Sequence, residues 1–167
     1  MRRNIVVMML LLLAMGASAQ QLKIGYFSYD GTLTAMPQYI EAQANIDKLR
    51  QQYAAEMQRA EDEFNKKYEE FLDGQRDFAP SILQKRQTEL QELMSRNVKF
   101  KSEAARLLSE AEQQAVTPLR QKLDEAARQV GANGGYTLIL NTDHQAVPYT
   151  DGAVCEDVSE QINRLLR

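Results

Sequence analysis

The chain has 167 residues, a length that suits one domain of ordinary size and excludes a multidomain enzyme. Hydrophobic residues make up 44% and charged residues 26%, with 8 Gly, 4 Pro and no Trp, so the composition excludes a disordered protein and favours helices over a β-sandwich. A single His and a single Cys exclude the imidazole and thiolate clusters of structural zinc, iron–sulfur and Cys/His catalytic sites, so we expect no metal and no cofactor.

The first nineteen residues have the pattern of a signal peptide. Arg2 and Arg3 precede the apolar run Ile5 to Met15, which is shorter than the roughly 20 residues of a membrane-spanning helix. Ala17-Ser18-Ala19 has the small-residue pattern of a cleavage site. We therefore predict a signal peptide over residues 1–19, cleaved near Ala19, and export of the mature chain. A transmembrane anchor is the less favoured alternative.

The mature chain is acidic. Without Arg2 and Arg3, 18 Lys and Arg stand against 23 Asp and Glu, a formal net charge of -5. Such a chain lacks the long-range attraction that draws basic proteins to nucleic acid, so we expect no nucleic-acid partner. Cys155 is the only cysteine and cannot form an intrachain disulfide. We expect it to be a small buried hydrophobe, with an intermolecular disulfide as the alternative.

The first predicted element is a strand over residues 22–29, where apolar residues alternate between two faces. Leu22, Ile24 and Tyr26 share one of those faces. Asp30-Gly31 predicts a turn directly after the strand.

The middle of the chain is predicted to form two long helices. Pro37 suits the first turn of the first helix, and larger apolar residues then recur at steps of three and four. They are Ile46, Leu49, Tyr53, Met57, Ala60, Phe64, Tyr68 and Phe71. A second seam runs through Leu90, Leu93, Asn97, Phe100, Ala104 and Leu107. The polar link between them predicts an antiparallel two-helix coiled-coil arm over residues 37–118, with its tip near 73–80. Pro118 predicts a kink or a helix boundary at the end of the arm.

The C-terminal part is predicted to contain a β-hairpin and a short helix. Tyr136 to Leu140 and Ala146 to Tyr149 are the predicted strands of the hairpin. Val154, Val158, Ile162 and Leu165 recur at helical spacing. With residues 20–36, residues 119–167 would form a small β-containing body, and the predicted fold is therefore α+β, mainly α.

The predicted body is too small to be stable alone. A core of about fifty residues without disulfides or metal usually needs partner subunits, so we predict that the body oligomerises. The candidate residues for burial between subunits are Ile24, Tyr26, Leu138, Leu140 and Val147. In the arm, Arg86 and Asn97 interrupt the second seam, which predicts flexible helices with accessible apolar surface. The candidate contacts for a bound partner are Tyr53, Met57, Phe64, Tyr68, Phe71 and Phe78.

The two ends of the mature chain resemble the Skp/OmpH family of periplasmic chaperones. Residues 23–43 (KIGYFSYDGTLTAMPQYIEAQ) are similar to the family's first strand, its short segment before a proline and the start of its long helix. Residues 135–166 are similar to its closing strands and helix, with Asn141 and Asp157-Val158-Ser159 as mild departures. The resemblance implies a jellyfish-like homotrimer with helical arms around a cavity.

The function implied by the resemblance is that of an ATP-independent chaperone that shelters unfolded outer-membrane proteins. The alternative is an envelope scaffold or spacer that docks one folded partner through its arm. An enzyme is not expected, because His144 stands in a predicted turn without a nucleophile nearby in sequence. Basic members of the family are associated with lipopolysaccharide, and the acidic sequence pI of 5.3 gives no basis for extending lipid contact to this chain.

Overall fold

The computed structural model describes residues 22–167, so the predicted signal peptide lies outside the described residues. The chain is mainly helical, with one small three-stranded sheet, as predicted. The strands are β1 (Ile24–Phe27), β2 (Leu138–Asn141) and β3 (Cys155–Asp157). The helices are α1 (Tyr29–Ala35), α2 (Pro37–Gly74), α3 (Pro80–Gly134) and α4 (Ser159–Leu166), and a single 3₁₀ turn spans Asp143–Gln145.

These elements form two compact units. The helical unit contains Leu33–Lys122 and therefore most of α2 and α3. The sheet unit contains residues 22–32 and Leu123–Arg167.

Helix α2 begins at Pro37, as predicted. Met36 before it is extended, with φ −65° and ψ 129°, and proline at the first helical position lacks only an amide hydrogen that a helix cannot use there. Ile46 is buried, and Leu49, Tyr53, Met57 and Phe64 follow it along the half-buried side of the helix. The predicted seam was wrong at Tyr68, which is 45% exposed.

Helix α3 runs for 55 residues, with Pro118 inside it. The alternative of a helix boundary at Thr117-Pro118 was therefore wrong. The helix ends at Gly134, and Gly135 after it has φ +67°, a left-handed conformation that favours glycine and terminates the helix.

The helical unit is the predicted antiparallel hairpin. The side-chain amide of Asn97 in α3 donates a hydrogen bond to the Ala60 carbonyl of α2 at 2.9 Å. The rings of Tyr53 and Phe100 lie 6.1 Å apart, so a lower number in α2 faces a higher number in α3. At the tip, a Cβ added to Gly74 would lie 2.5 Å from the Phe78 ring, so a larger residue there would displace that ring.

The sheet is parallel, with the strand order β2-β1-β3. Ile24 pairs with Leu138 and with Cys155. The predicted C-terminal β-hairpin was wrong, because Ala146 to Tyr149 forms no strand and the third strand is formed later in the chain, at Cys155–Asp157. After β2 the chain enters the 3₁₀ turn, in which His144 and Gln145 both have positive φ, and it does not return along β2.

A short helix replaces the turn predicted at Asp30-Gly31. Helix α1 begins at Tyr29, directly after β1. The Gly31 amide donates to the Ser28 hydroxyl at 2.9 Å, and the Asp30 amide donates to the Asp143 carboxylate at 2.7 Å. These side-chain oxygens accept hydrogen bonds from amides of the first turn that have no acceptor within the helix, and this stabilises the start of α1.

The core of the sheet unit lies on one side of the sheet. Leu123 of α3, Val158 and Ile162 are its most completely buried side chains, and Phe27 of β1 is 5% exposed. Helix α4 buries Ile162 and Leu166, whereas the predicted Leu165 is 47% exposed. The prediction was wrong at Leu165, because the buried residues Val158, Ile162 and Leu166 follow one another at steps of four. It was also wrong at Val154, which is 39% exposed and precedes β3.

Candidate functional site

The six residues predicted to contact a partner lie mostly between the two helices of the hairpin. Tyr53, Met57, Phe64, Phe71 and Phe78 are half-buried, and only Tyr68 is exposed. Phe71 and Phe78 lie 6.4 Å apart across the tip, and Phe64 stacks on Tyr68 at 6.0 Å with the rings 8° from parallel. Most of these side chains therefore hold the hairpin together, and their contact with a partner stays a prediction.

The exposed apolar side chains of the helical unit are largely different residues. Met94 is 59% exposed, Val98 62% and Ile40 60%, and Leu72 is exposed beside Tyr68. Sequence reasoning missed four of these five. The signal that could have found them is the i,i+4 spacing of Met94 with Val98 and of Tyr68 with Leu72, which places each pair on one side of its helix, away from the seam.

One flank of α3 is charged and the opposite flank is almost uncharged. The charged flank consists of residues at alternating steps of four and three, namely Lys85, Glu89, Glu92, Arg96, Lys99, Glu103, Arg106 and Glu110. The opposite flank consists of exposed residues at similar steps, namely Gln87, Gln91, Met94, Val98, Ser102, Ala105 and Ser109. Helix α2 is divided in the same way. Its uncharged flank has Ile40, Ala44, Gln51, Ala54, Gln58, Asn65, Tyr68 and Leu72, and its charged flank has Glu41, Lys48, Glu56, Arg59, Glu63, Lys66 and Glu70.

The uncharged flanks of the two helices lie on the same side of the hairpin. Met57 and Glu61 of α2 line one groove together with Val98 and Lys101 of α3. A different groove, near the tip, is lined by Lys67 and Glu70 of α2 together with Arg86 and Glu89 of α3. We call the side formed by the two uncharged flanks the neutral face and the side formed by the two charged flanks the charged face.

Ion pairs within single helices neutralise much of the charged face. Arg106 pairs with both Glu103 and Glu110, and this hydrogen bonding lowers the pKa of Glu103. Arg86 pairs with Glu89 at 3.1 Å. The Arg86 side chain is 49% exposed, so it lies at the edge of the seam that the sequence predicted for it.

The neutral face has few charged side chains. Asp47 pairs with Arg50 in α2. Glu61 and Lys101 line the same groove. Asp62, at the border of the neutral face, accepts a hydrogen bond from the Gln58 amide at 2.9 Å. Charged side chains on the neutral face are therefore few compared with those on the charged face.

The sheet has one face that the core does not cover, and it is apolar in β1 and β2. Cys155 and Asp157 of β3 pair with Ile24 and Tyr26 and lie on the same face. Ile24 and Tyr26 of β1 stand in register with Leu138 and Leu140 of β2, so the four side chains share one face. Leu138 is 41% exposed and the other three are half-buried. We call these four residues the open sheet face. Val147, the fifth residue predicted for subunit contact, lies outside the strands.

A polar network on the covered side of the sheet links β3 to α4 and to the residue before β1. Lys23 pairs with Glu156 at 3.2 Å and lies over the Tyr136 ring, 4.1 Å from its centre. Gln161 of α4 donates to Glu156 at 3.0 Å. The Tyr136 hydroxyl, followed by Lys23, holds the pKa of Glu156 below its usual value, and Glu156 raises the pKa of Lys23.

The polar residues after β1 and β2 form a structural junction. Ser28 donates to the Asp143 carboxylate at 2.5 Å, and its hydroxyl oxygen accepts from the Gly31 amide. His144 is 91% exposed, and its Nε2 lies 3.8 Å from the Asp30 carboxylate. Among residues 22–167, the hydrogen-bond partners of the Ser28 hydroxyl are Asp143 and Gly31. The Ser28 hydroxyl thus donates to Asp143 and not to His144.

The described part of the chain has neither a metal-binding cluster nor a membrane-spanning helix. From Leu22 onward, no three His, Cys, Asp or Glu side chains are grouped to hold a metal ion. None of the helices between residues 22 and 167 combines the length and apolar character needed to cross a bilayer. Cys155 is a free, half-buried thiol in β3.

Comparison with known proteins places the chain in a structural context. A family model described as outer membrane protein (OmpH-like) matches residues 23–166. The fold is similar to a crystal structure from Caulobacter crescentus, assigned as an OmpH-like outer membrane chaperone, with a TM-score of 0.72 and 15% sequence identity. The similarity covers 90% of this chain and 86% of that chain. The search of curated proteins found no match.

Proposed function

This chain belongs to the OmpH-like family of outer membrane proteins, and on that basis we propose that it is a periplasmic holdase chaperone for unfolded outer-membrane β-barrel proteins. It acts without ATP. Copies of the chain associate into a homo-oligomer, a trimer by the family resemblance, and their helical hairpins shelter the client in the cavity between them.

The exposed apolar residues of the neutral face are the observation that supports this proposal. Five of the six large apolar side chains exposed in the helical unit lie on that one face, and the sixth, Ile82, lies in the first turn of α3. Exposed apolar surface that gathers on one side of a soluble unit marks an interaction surface. Bound chains would be held there by weak contacts repeated along the hairpin.

The spacing of these residues supports an unfolded client over one folded partner. Tyr68 and Leu72 lie toward the tip, and Ile40 lies about 40 Å further along α2 at 1.5 Å per residue. A folded partner is recognised by a compact patch in which a few residues supply most of the affinity. Separate small groups along a long hairpin suit a client that has no fixed shape.

The open sheet face supports association of copies. A small unit with a partly exposed apolar sheet gains stability when another subunit covers that sheet. Ile24, Tyr26, Leu138 and Leu140 are placed for that contact.

Aggregation of an unfolded β-barrel protein tests the holdase function. The client is diluted from urea into buffer without nucleotide, with and without a stoichiometric amount of the mature chain, and light scattering is followed. We expect the mature chain to suppress scattering, whereas an unrelated folded protein at the same mass concentration does not. Equal rates of client aggregation with and without the chain would exclude the holdase function.

Affinity capture from envelope extract separates the holdase from the scaffold. A range of β-barrel proteins on the captured chain supports the holdase. One folded partner in stoichiometric amount supports the scaffold.

A further inference from the structure

The neutral face and the charged face differ in what they can bind. An exposed charge loses hydration when an apolar segment covers it, and this loss opposes binding. The charged face would incur that cost along its whole length. The neutral face offers apolar side chains such as Met94 and Val98 beside the amides and hydroxyls of Gln91 and Ser102, all of them exposed.

Membrane-spanning β-strands have a matching pattern. Apolar and polar side chains alternate along such a strand over about ten residues, and charges are rare on its lipid-facing side. An unfolded strand of this kind can place apolar side chains against Met94, Val98 or Leu72 and leave its small polar side chains within reach of the amides and hydroxyls. Contacts of this type need no fixed register, because the neutral face repeats them along both helices.

We infer that the neutral face is the surface that holds the client, that it selects uncharged segments with alternating apolar and small polar side chains, and that this capture is independent of ionic strength. The inference rests on the proposed function and adds to it the client segment and the type of force. Salt screens interactions between charges, and the neutral face has few charged side chains, so salt has little effect on contacts made there.

Lysine pairs of equal charge on the two faces test the inference. In Met94→Lys/Val98→Lys, two positive charges replace apolar side chains on the neutral face. Asn45→Lys/Gln52→Lys adds the same charge to exposed positions between the acidic and basic residues of the charged face. We expect the first variant to need about tenfold more protein to keep half of the client soluble, as expected for about 1.4 kcal/mol of lost contact, and the second to match the unaltered chain.

Folding and assembly are checked on the same samples. All the altered side chains are exposed, so we expect the helix content by circular dichroism and the mass in solution to be unchanged. Met94→Ser/Val98→Ser, which removes the apolar surface without adding charge, should show a smaller loss in the same direction. A changed oligomer mass in the Met94/Val98 variants would identify the neutral face as a contact between copies and would overturn the inference.

The dependence on salt is measured with the unaltered chain. We expect client retention at about 50 mM and about 500 mM NaCl to agree within about twofold, since the Debye length falls from more than 10 Å to less than 8 Å over this range. A tenfold loss at high salt, or equal losses in the two lysine variants, overturns the inference and leaves the holdase function standing. Failure of the unaltered chain to retain client would instead exclude the holdase function itself.

Discussion

Asp143 joins three segments of the sheet unit through one carboxylate. It accepts hydrogen bonds from the Ser28 hydroxyl and the Asp30 amide, so the end of β1 and the start of α1 are fixed to the turn after β2. These two hydrogen bonds, the Ser28 hydroxyl first, hold the pKa of Asp143 below its ordinary value of 3.8. The ionised form is therefore favoured in the folded state.

The stability of the sheet unit should depend on this ionisation. A carboxylate whose pKa is lowered by folding stabilises the fold above its unfolded-state pKa, and this stabilisation is lost as the pH falls through its folded-state pKa. We expect Asp143→Asn to lower the midpoint of urea unfolding at pH 7, and the difference from the unaltered chain to shrink below about pH 4. Asp77→Asn, an exposed position near the hairpin tip, is the control and should show no such difference. A pH-independent effect of Asp143→Asn would contradict the role of its charge.

The role of Asp143 could not be predicted from the sequence, because its hydroxyl partner lies 115 residues away along the chain. Local spacing shows which residues share a face of one element and gives no information about pairs of this kind. The same limit applies at Leu166, where the exact start of α4 decides which of two adjacent leucines is buried. The pattern of apolar residues identified the helix, and the single buried position depended on the turn before it.

Asn97 has a specific partner within the helical hairpin. The sequence predicts it as a polar interruption of the seam, and the structure shows that its amide hydrogen bonds to the Ala60 carbonyl. A polar residue at a seam position fixes the register of two helices at some cost in stability. Asn97 is therefore a register contact, whereas Arg86 is exposed at the edge of the seam.

Replacing Asn97 by Leu should stiffen the hairpin. The change exchanges one hydrogen bond for apolar contact in a half-buried seam, and we expect about 1 kcal/mol of added local stability, which slows amide hydrogen exchange near the tip about fivefold. Arg86→Leu is the matched control and should slow exchange much less, because its side chain is outside the seam. We also expect the double variant Arg86→Leu/Asn97→Leu to retain a narrower range of client sizes. Unchanged exchange in Asn97→Leu would remove the argument that this seam limits the stability of the tip.

The long helices could be predicted from the sequence and the small strands only in part. Regular apolar spacing from Ile46 to Phe71 identifies α2, and the turn with Gly74 and Phe78 follows from its composition. The predicted strand at Ala146 to Tyr149 was wrong because three or four apolar residues fit a strand and an irregular segment equally well, and Pro148 lacks the amide hydrogen that a central strand uses. Strand β3 contains Glu156 and Asp157, which gave no apolar signal at all.

At the scale of the whole molecule, the open sheet face predicts association of copies. Leu138→Glu places a charge on that face, and we expect it to yield single chains with a destabilised sheet unit where the unaltered protein is larger at micromolar concentration, as measured by sedimentation and by urea unfolding. Leu165→Glu, at a leucine of similar exposure on α4, is the control and should keep the original mass. A folded single chain for the unaltered protein would contradict both the size argument and the proposed cavity.

The sequence predicted a need for association but could not show which face meets a partner. Alternation in β1 defined two faces, and only the parallel register with β2 shows that Ile24, Tyr26, Leu138 and Leu140 stand together. The neutral face was missed for a similar reason. Its two flanks are far apart along the chain and become one surface only when α2 and α3 pack antiparallel.

The central position of β1 has a consequence for the order in which the molecule is completed. This strand stands near the start of the described residues, yet both of its neighbours lie between residues 138 and 157. The hairpin forms from segments close in sequence, whereas the sheet must close a loop of more than a hundred residues, which makes it the slow step. A chain truncated by a nonsense mutation or a protease would therefore form its long helices but leave β1 without a paired strand. Such a chain would lack the paired strands of the open sheet face, so we expect it not to associate with other copies.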